Sequence, residues 1–458
     1  VGEGGWGVGG RTRLRRRRWA PAAVFCLWAA LSGAGSPVAA QPRAETKAGP
    51  FGALLEHVRA GGDLVLIYTG SEPAGAPTNP GNRIKAIPGS DLELQLRTRL
   101  DYDDRARGLH LAVSPFLTYD RFTVDRAGTP DRNADDLDLV VNGYLAQIRD
   151  AIPRTTLTVA RQDVEWAPGF FDAPSNPFGV HNSADNPLRE DPGTDLAWLS
   201  VSPTDRLALT YYNSYSEGAR EPSALQPFRR AQLGVATYVA QDFTVSALGG
   251  VQEESEGFVG SYGQWTVNDA VLLYYDGVVR RGSDGRYPVA DSTLPTGGRY
   301  AATKSGSGRL FPELLVGAAY TLATGYTLYG EYLYYAPGYG DADLERSRRI
   351  NRAAADLFAT PLEDLGAQTL GQAALPNLRH VGRHFMNLQV TKTFGPLRLV
   401  VQNALALQDW TGRLFMSVQY AFQRYAVALT GIGFYGRAGG VFRQDLDGRF
   451  AIGIARHF

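Results

Sequence analysis

Several apolar stretches of this chain carry a charged residue at every second position. In 91–102 (DLELQLRTRLDY), Glu93, Arg97 and Arg99 share one face with Gln95, and Leu92, Leu94, Leu96 and Leu100 share the other. Arg161, Asp163, Glu165, Glu331, Arg398 and Arg413 have comparable settings. Groups so placed do electrostatic work. Around an aqueous path they attract or repel passing ions and polar solutes. Facing one another, they form structural salt-bridge ladders instead. Both readings stand open at this level.

Other constellations point away from catalysis. His380 and His384 stand four apart, a spacing that would suit a metal on a helix. They fall where a loop meets a strand, with no carboxylate nearby in sequence, so no metal is assigned. The acidic stretches 131–138 and 340–345 read as solvated loop charge rather than Ca²⁺ loops. None of the six histidines accompanies a nucleophile motif such as G-x-S-x-G, so no catalytic residue, enzyme activity or cofactor is assigned. The single cysteine is Cys26, which leaves the rest of the chain without disulfide or thiolate chemistry.

The elements that must position these residues are strands. A period of two is the strand signature. The last segment, RFAIGIARHF, sets Phe450, Ile452, Ile454, Arg456 and Phe458 against Ala451, Gly453, Ala455 and His457. Tyr326, Leu328, Tyr332 and Tyr334 alternate likewise with Thr327, Tyr329, Glu331 and Tyr335, as do Leu414, Met416, Val418, Tyr420 and Phe422 with Arg413, Ser417 and Gln419. Eighteen candidate strands run from 63–69 to 449–458, with 16 as the alternative and 63–69 the weakest pattern. Most have the length of a tilted bilayer crossing, about 9–11 residues or slightly more. Short connections (AQD 240–242, VND 267–269, ATG 323–325, FGP 394–396, FQR 422–424) alternate with long ones at 70–90, 121–136, 167–192, 215–229, 280–309, 336–382 and 436–448. Only DWTG (409–412) is short on the long-loop side. That rhythm, with 23 Tyr, 20 Phe and 53 Gly, predicts an all-β fold: an antiparallel up-and-down transmembrane barrel with long extracellular loops.

The front of the chain predicts export. RTRLRRRR (11–18), an apolar run from Trp19 to Leu31 and SPVAA ending at Ala40 form a signal peptide over 1–40. Residues 41–62 are then a short periplasmic segment, in which FGALLEHVRA has the pattern of a small amphipathic helix, and 63–458 are the barrel. Residues 1–40 hold six of the 46 basic residues and one of the 46 acidic ones, which leaves 40 against 45, a net of about −5. That balance gives no reason to expect a nucleic-acid partner.

Two long loops carry further candidates. Trp166 leads into APGFFDAPSNPFGVHNSADNPLREDP (167–192), whose prolines lower the entropy cost of ordering. Such a loop is expected to fold inward, with Trp166, Asn176 and Pro177 at a constriction. In 336–382, ADLERSRRINRAAADLFA reads as a helix clustering Arg346, Arg348, Arg349 and Arg352, which either folds into the lumen as a second constriction that attracts anions or faces solvent and lipopolysaccharide phosphates outside.

The run ARQDVEWAPGFFDAPSNPFGVHNSADNPLREDPGTDLAWLSV resembles a segment of poorly characterised proteobacterial outer-membrane barrels near the alginate-export-like porins. Arg161, Gln162, Trp166, Asn176, Pro177, Gly193 and Asp195 stand at matching positions, Ala167 replaces a glycine, and EYLYYAPGYG (331–340) is similar to another motif of that group. A more distant similarity is to capsule-assembly barrels. A chain ending in an alternating strand with a terminal aromatic, Phe458, resembles the signal read by the barrel-assembly machinery, although Arg456 departs from it. The resemblance implies a Gram-negative outer membrane, with lipid and lipopolysaccharide as surroundings. It implies passive transport or export without naming a solute, and the charged inward faces then suggest a porin-like channel or exporter for small polar or acidic solutes, with a surface-assembly barrel handling polysaccharide as the alternative. A lipase-type barrel enzyme is a further alternative.

The protein recovered from a Gram-negative envelope should begin at Gln41 by N-terminal sequencing. Retention of residues 1–40 would overturn the signal-peptide assignment.

Overall fold

The computed structural model describes residues 56–127, 132–164, 166–178, 187–190, 193–219, 228–253, 257–302 and 308–458. The wall starts with β1 (Val58–Pro73), β2 (Ser90–Asp104), β3 (Leu109–Val124), β4 (Arg132–Arg149), β5 (Thr155–Gln162) and β6 (Thr194–Val201). It continues with β7 (Leu207–Ser216), β8 (Ala231–Val239), β9 (Phe243–Gln252), β10 (Phe258–Asn268) and β11 (Val271–Arg281). A loop hairpin of β12 (Arg286–Ala290) and β13 (Gly298–Ala302) precedes β14 (Leu310–Thr321) and β15 (Tyr326–Tyr335). Helices α1 (Asp341–Asp356) and α2 (Glu363–Ala373) follow. Last come β16 (His384–Phe394), β17 (Leu397–Ala406), β18 (Thr411–Phe422), β19 (Tyr425–Tyr435) and β20 (Leu446–His457).

Apart from the β12–β13 hairpin, the strands form one 18-stranded antiparallel sheet in which β1 pairs with both β2 and β20. The barrel is therefore closed, with the strand number expected. The segment with the weakest alternation, 63–69, lies within the 16-residue β1. Phe458 completes the seam, since its N–H donates to the Gly62 carbonyl and its carbonyl accepts the Gly62 N–H. The small helix expected over 51–60 does not extend over its described part. Glu56 and His57 form a turn, and Val58–Ala60 already belong to β1. Thus the wall begins five residues ahead of residue 63. Pairing with β2 and β20 satisfies this backbone, which a lone helical turn could not do in lipid.

Short turns and long loops segregate to opposite ends as expected, and both described chain ends lie at the short-turn end. The wall is uneven. β3 and β4 have 16 and 18 residues, whereas β5 and β6 have eight each. At about 3.3 Å per residue, eight residues cover ~26 Å before tilt, close to the ~25 Å apolar band of such barrels.

The alternation sorts side chains between lipid and interior. Leu414, Met416, Val418, Tyr420 and Phe422 are all exposed, while Phe415 and Ser417 between them are buried. Phe450, Ile452 and Ile454 are exposed and Ala451 and Ala455 buried. At the short-turn rim, the Lys392 ammonium sits 4.9 Å from the Tyr326 ring centre and 5.2 Å from that of Phe394. Aromatics with a snorkelling lysine are the composition of a membrane–water boundary.

Met416→Arg, on the lipid face in mid-strand, should destabilise the folded barrel in bilayers by about 2–4 kcal/mol. Trp410→Arg, in the turn at the long-loop end, should cost only about 0–1 kcal/mol. Equal effects in reversible unfolding would contradict this placement of the apolar belt.

Candidate functional site

Residues 166–178 of the proline-rich segment after β5 lie as an arm on the inner wall. Its start is strained: Ala167 has φ +75°, a left-handed conformation that costs an L-residue roughly 1–2 kcal/mol. Its return is tight, because a Cβ on Gly193 would lie 2.6 Å from the Gln162 backbone nitrogen. Between them, Asn176 is buried, donates from Nδ2 to the Val164 carbonyl (2.6 Å) and accepts the Phe178 N–H (2.9 Å). Pro177 beside it is half-buried.

Buried acids of the wall hold the arm. Glu331 on β15 accepts the N–H groups of Phe170 (2.8 Å) and Phe171 (3.0 Å), and also the Tyr274 hydroxyl (3.0 Å). Asp276 on β11 accepts the Ser175 N–H at 3.1 Å. Arg280 bridges from Glu313 on β14 (3.2 Å) to the Pro174 carbonyl (2.9 Å). From above, Arg379 donates to Asp172 (3.0 Å), to the Ala173 carbonyl (3.1 Å) and to the Asn176 carbonyl (3.1 Å). Burial lowers the affinity of this guanidinium for its proton. Asp172 and then Glu313 outweigh that and hold Arg379 above its usual value. His380 Nε2 meets the second Asp172 oxygen at 2.6 Å. This member of the His380/His384 pair thus belongs to the anchor. Phe171 completes it by packing among Leu315, Leu333, Leu378 and Phe385.

The end of the same loop makes a second anchor. Arg189 donates to Glu93 (2.5 Å), and Arg97 donates to Gln95 (2.6 Å) and to the Leu188 carbonyl (2.7 Å). Opposite charges beside it outweigh burial and raise the Arg189 guanidinium, Glu93 most. A Cβ on Gly453 would lie 2.8 Å from Leu188 Cδ1, so the glycine makes room for this leucine on the wall.

Loop segments also meet at the long-loop end. α1 buries Leu344, Ile350, Asn351 and Ala354. The Tyr300 hydroxyl of β13 bonds Ser347 and Asn351 of this helix, and burial pushes the phenol up to about 12, so it stays neutral. Arg83 of the first long loop pairs with Glu363 and covers Phe358, and Arg348 pairs with Asp409.

These positions sort the expected residues. Glu93, Arg97, Glu331, Arg398 and Arg413 lie on the strand faces opposite the exposed apolar ones, as does Arg99, which is exposed. Arg161 does not. It shares a face with exposed Leu157 and Val159, while Thr158 and Ala160 between them are fully buried. Arg161 holds Asp195 with two hydrogen bonds (2.7 and 3.0 Å), donates to the Val141 carbonyl and covers Tyr144. An outward ion pair is tolerable here because β5 and β6 end at the edge of the apolar band. Asp163 lies just past β5, and Glu165 is outside the described residues. The expected α1 arginine cluster is divided. Arg346 bonds Asp343 and the Pro288 carbonyl, Arg348 bonds Glu345 and Asp409, and Arg349 and Arg352 are exposed. Sequence reasoning missed Asp172, Asp276, Arg280, Glu313 and Arg379. The signal for three of them was present, since DGVVRR and FPELLV place charges inside apolar strands.

No family description and no curated protein matches this sequence. Among solved structures, Pseudomonas aeruginosa OccK7 (OpdD) is similar with 13% identity over 88% of this chain and 98% of its own, at a TM-score of 0.50. P. aeruginosa OprD shows 10% identity over 88% and 95%, at 0.49. A triple mutant of Rhodopseudomonas blastica porin shows 10% over 88% and 100%, at 0.40. At these identities the likeness concerns the fold alone.

Glu331→Ala should leave the Phe170 and Phe171 amides without an acceptor, at about 1–3 kcal/mol each if they stay buried. Hydrogen exchange at these amides should accelerate at least tenfold while the β17–β19 ladder keeps its protection. Unchanged exchange would show that the arm is held without the carboxylate.

Proposed function

We propose that the protein is a passive channel of the Gram-negative outer membrane for small polar solutes, acidic ones among them. The observation that carries this reading is the closed membrane barrel whose inward acids and arginines fix two loop segments on its inner wall. Such segments narrow a lumen without an energised plug, and a narrowed wet path selects by size and field. The field of the free path then depends on charges not engaged in these anchors. Arg99 is exposed on the inward face of β2, and Arg349 and Arg352 are exposed on α1. The acidic partners of Arg97 and Arg189 leave those two guanidinia largely compensated.

A second reading is favoured by the contacts at the long-loop end. The 336–382 segment reaches the first long loop through Arg83–Glu363 and the 407–410 turn through Arg348–Asp409. A barrel stoppered this way would serve surface assembly, for instance polysaccharide attachment, rather than conduction.

Planar-bilayer recording of the refolded protein separates the two. Stepwise openings are expected, and Arg99→Glu should shift the reversal potential toward cation preference. A folded barrel that stays silent would favour the stoppered reading. Unchanged reversal potentials would remove Arg99 from the path.

A further inference from the structure

Charge is distributed very unevenly around the wall. The six consecutive strands β5–β10 contain one arginine and one aspartate, Arg161 and Asp195, and these pair with each other on the outward side. The inward faces of this arc carry no ionisable acid or base. The remaining arc differs: Glu93, Arg97, Asp276, Glu313 and Glu331 all lie on its inner face, bonded to loop segments or, for Glu313, to Arg280 of the wall.

The neutral arc has its own side chains. Trp198 of β6, Tyr212 of β7 and Tyr262 of β10 lie on inward faces and are half-buried. With Trp166 at the start of the arm they form a continuous series. Ring centres lie 6.0 Å apart for Trp198–Tyr212, 5.5 Å for Tyr212–Trp166 and 6.5 Å for Trp166–Tyr262. Hydroxyl pairs flank the series, Ser200 with Thr210 (3.0 Å) and Thr237 with Ser246 (2.9 Å). Among the described residues, the Tyr212 and Tyr262 hydroxyls and the Trp198 indole N–H have no hydrogen-bond partner, and none is sealed from solvent.

The geometry points to a binding track for neutral, hydroxyl-bearing rings, the carbohydrate class, along β6–β10. The electron-rich faces of Trp and Tyr attract the weakly positive C–H edges of a sugar ring, and their open O–H and N–H groups match its hydroxyls. An uncharged wall gives no counter-charge for an acidic or basic group that must shed water to enter. The inference rests on the channel reading and narrows its solute class for this side of the lumen. A role limited to packing the arm would explain Trp166, whose indole N–H is occupied by Ser175 (3.2 Å). Phe178 of the arm also packs on Tyr212, with ring centres 6.0 Å apart, but arm packing does not explain why three polar handles lack a hydrogen-bond partner among the described residues.

Two measurements on the refolded protein test this, with maltotriose as the neutral probe and glucuronate as the charged one. Maltotriose should interrupt single-channel current in a concentration-dependent way and change tryptophan fluorescence in detergent. Trp198→Ala should weaken both effects at least tenfold, and Trp198→Phe should restore most of the current block. Glucuronate should act at least tenfold more weakly. A folded wild-type protein that conducts but shows neither maltotriose effect overturns the track and leaves the channel standing. Equal binding of glucuronate also overturns it. Silent bilayers with a fluorescence response that Trp198→Ala removes would keep the track and overturn the channel.

Discussion

Everything in this molecule depends on hydrogen-bond closure of one sheet in a solvent that offers no hydrogen bonds. In hydrocarbon each unpaired backbone group costs several kcal/mol, so the strands must return on themselves. The β1–β20 seam does this, and its last rung is Phe458 against Gly62. The demand is strong enough to draw Val58–Gly62 into the wall. It also explains why the outward Arg161 stands at the end of a short strand and donates to the Val141 carbonyl, where β4 runs on beyond the end of β5.

Closure creates an interior, and the interior has to be filled or wetted. On one side it is filled. The arm from Ala167 to Phe178 brings its own N–H groups to buried carboxylates at 2.8–3.1 Å, and Phe171 to an apolar patch. Hydrogen bonds to charged groups are the stronger kind, and a buried carboxylate without partners would be costly. Hence the inward acids act first as fasteners for loops. Their influence on a passing solute is reduced because donors already surround them.

On the other side the wall is neutral, aromatic and hydroxyl-rich. The arm reaches this arc too, where Trp166 and Phe178 pack with Tyr212 in one cluster with Leu196 and Leu233, but its polar fastenings stand where the charges are. Charge segregation therefore sets where the polar anchors stand, and the neutral arc meets the arm through aromatic and aliphatic packing.

Alternation in the sequence was enough for the strand number, the side of the long loops and the lipid face of strands such as β18 and β20. The reason is that membrane strands obey a strict period of two and must be long enough to cross. The helix in 336–382 was equally clear from its local composition. Periodicity failed at Arg161, because alternation assigns two faces without saying which is inward, and the RQ dipeptide stands at a strand end. It reached only part of the way at Glu93, Arg97 and Glu331. The pattern puts them inside, but only the tertiary fold shows that they meet Arg189, Leu188 and Phe170, which lie 91 to 161 positions away in the chain. The anchors Asp172 and Arg379 were invisible for the same reason: they lie in two loops, and their meeting depends on how a closed wall folds both loops over one patch.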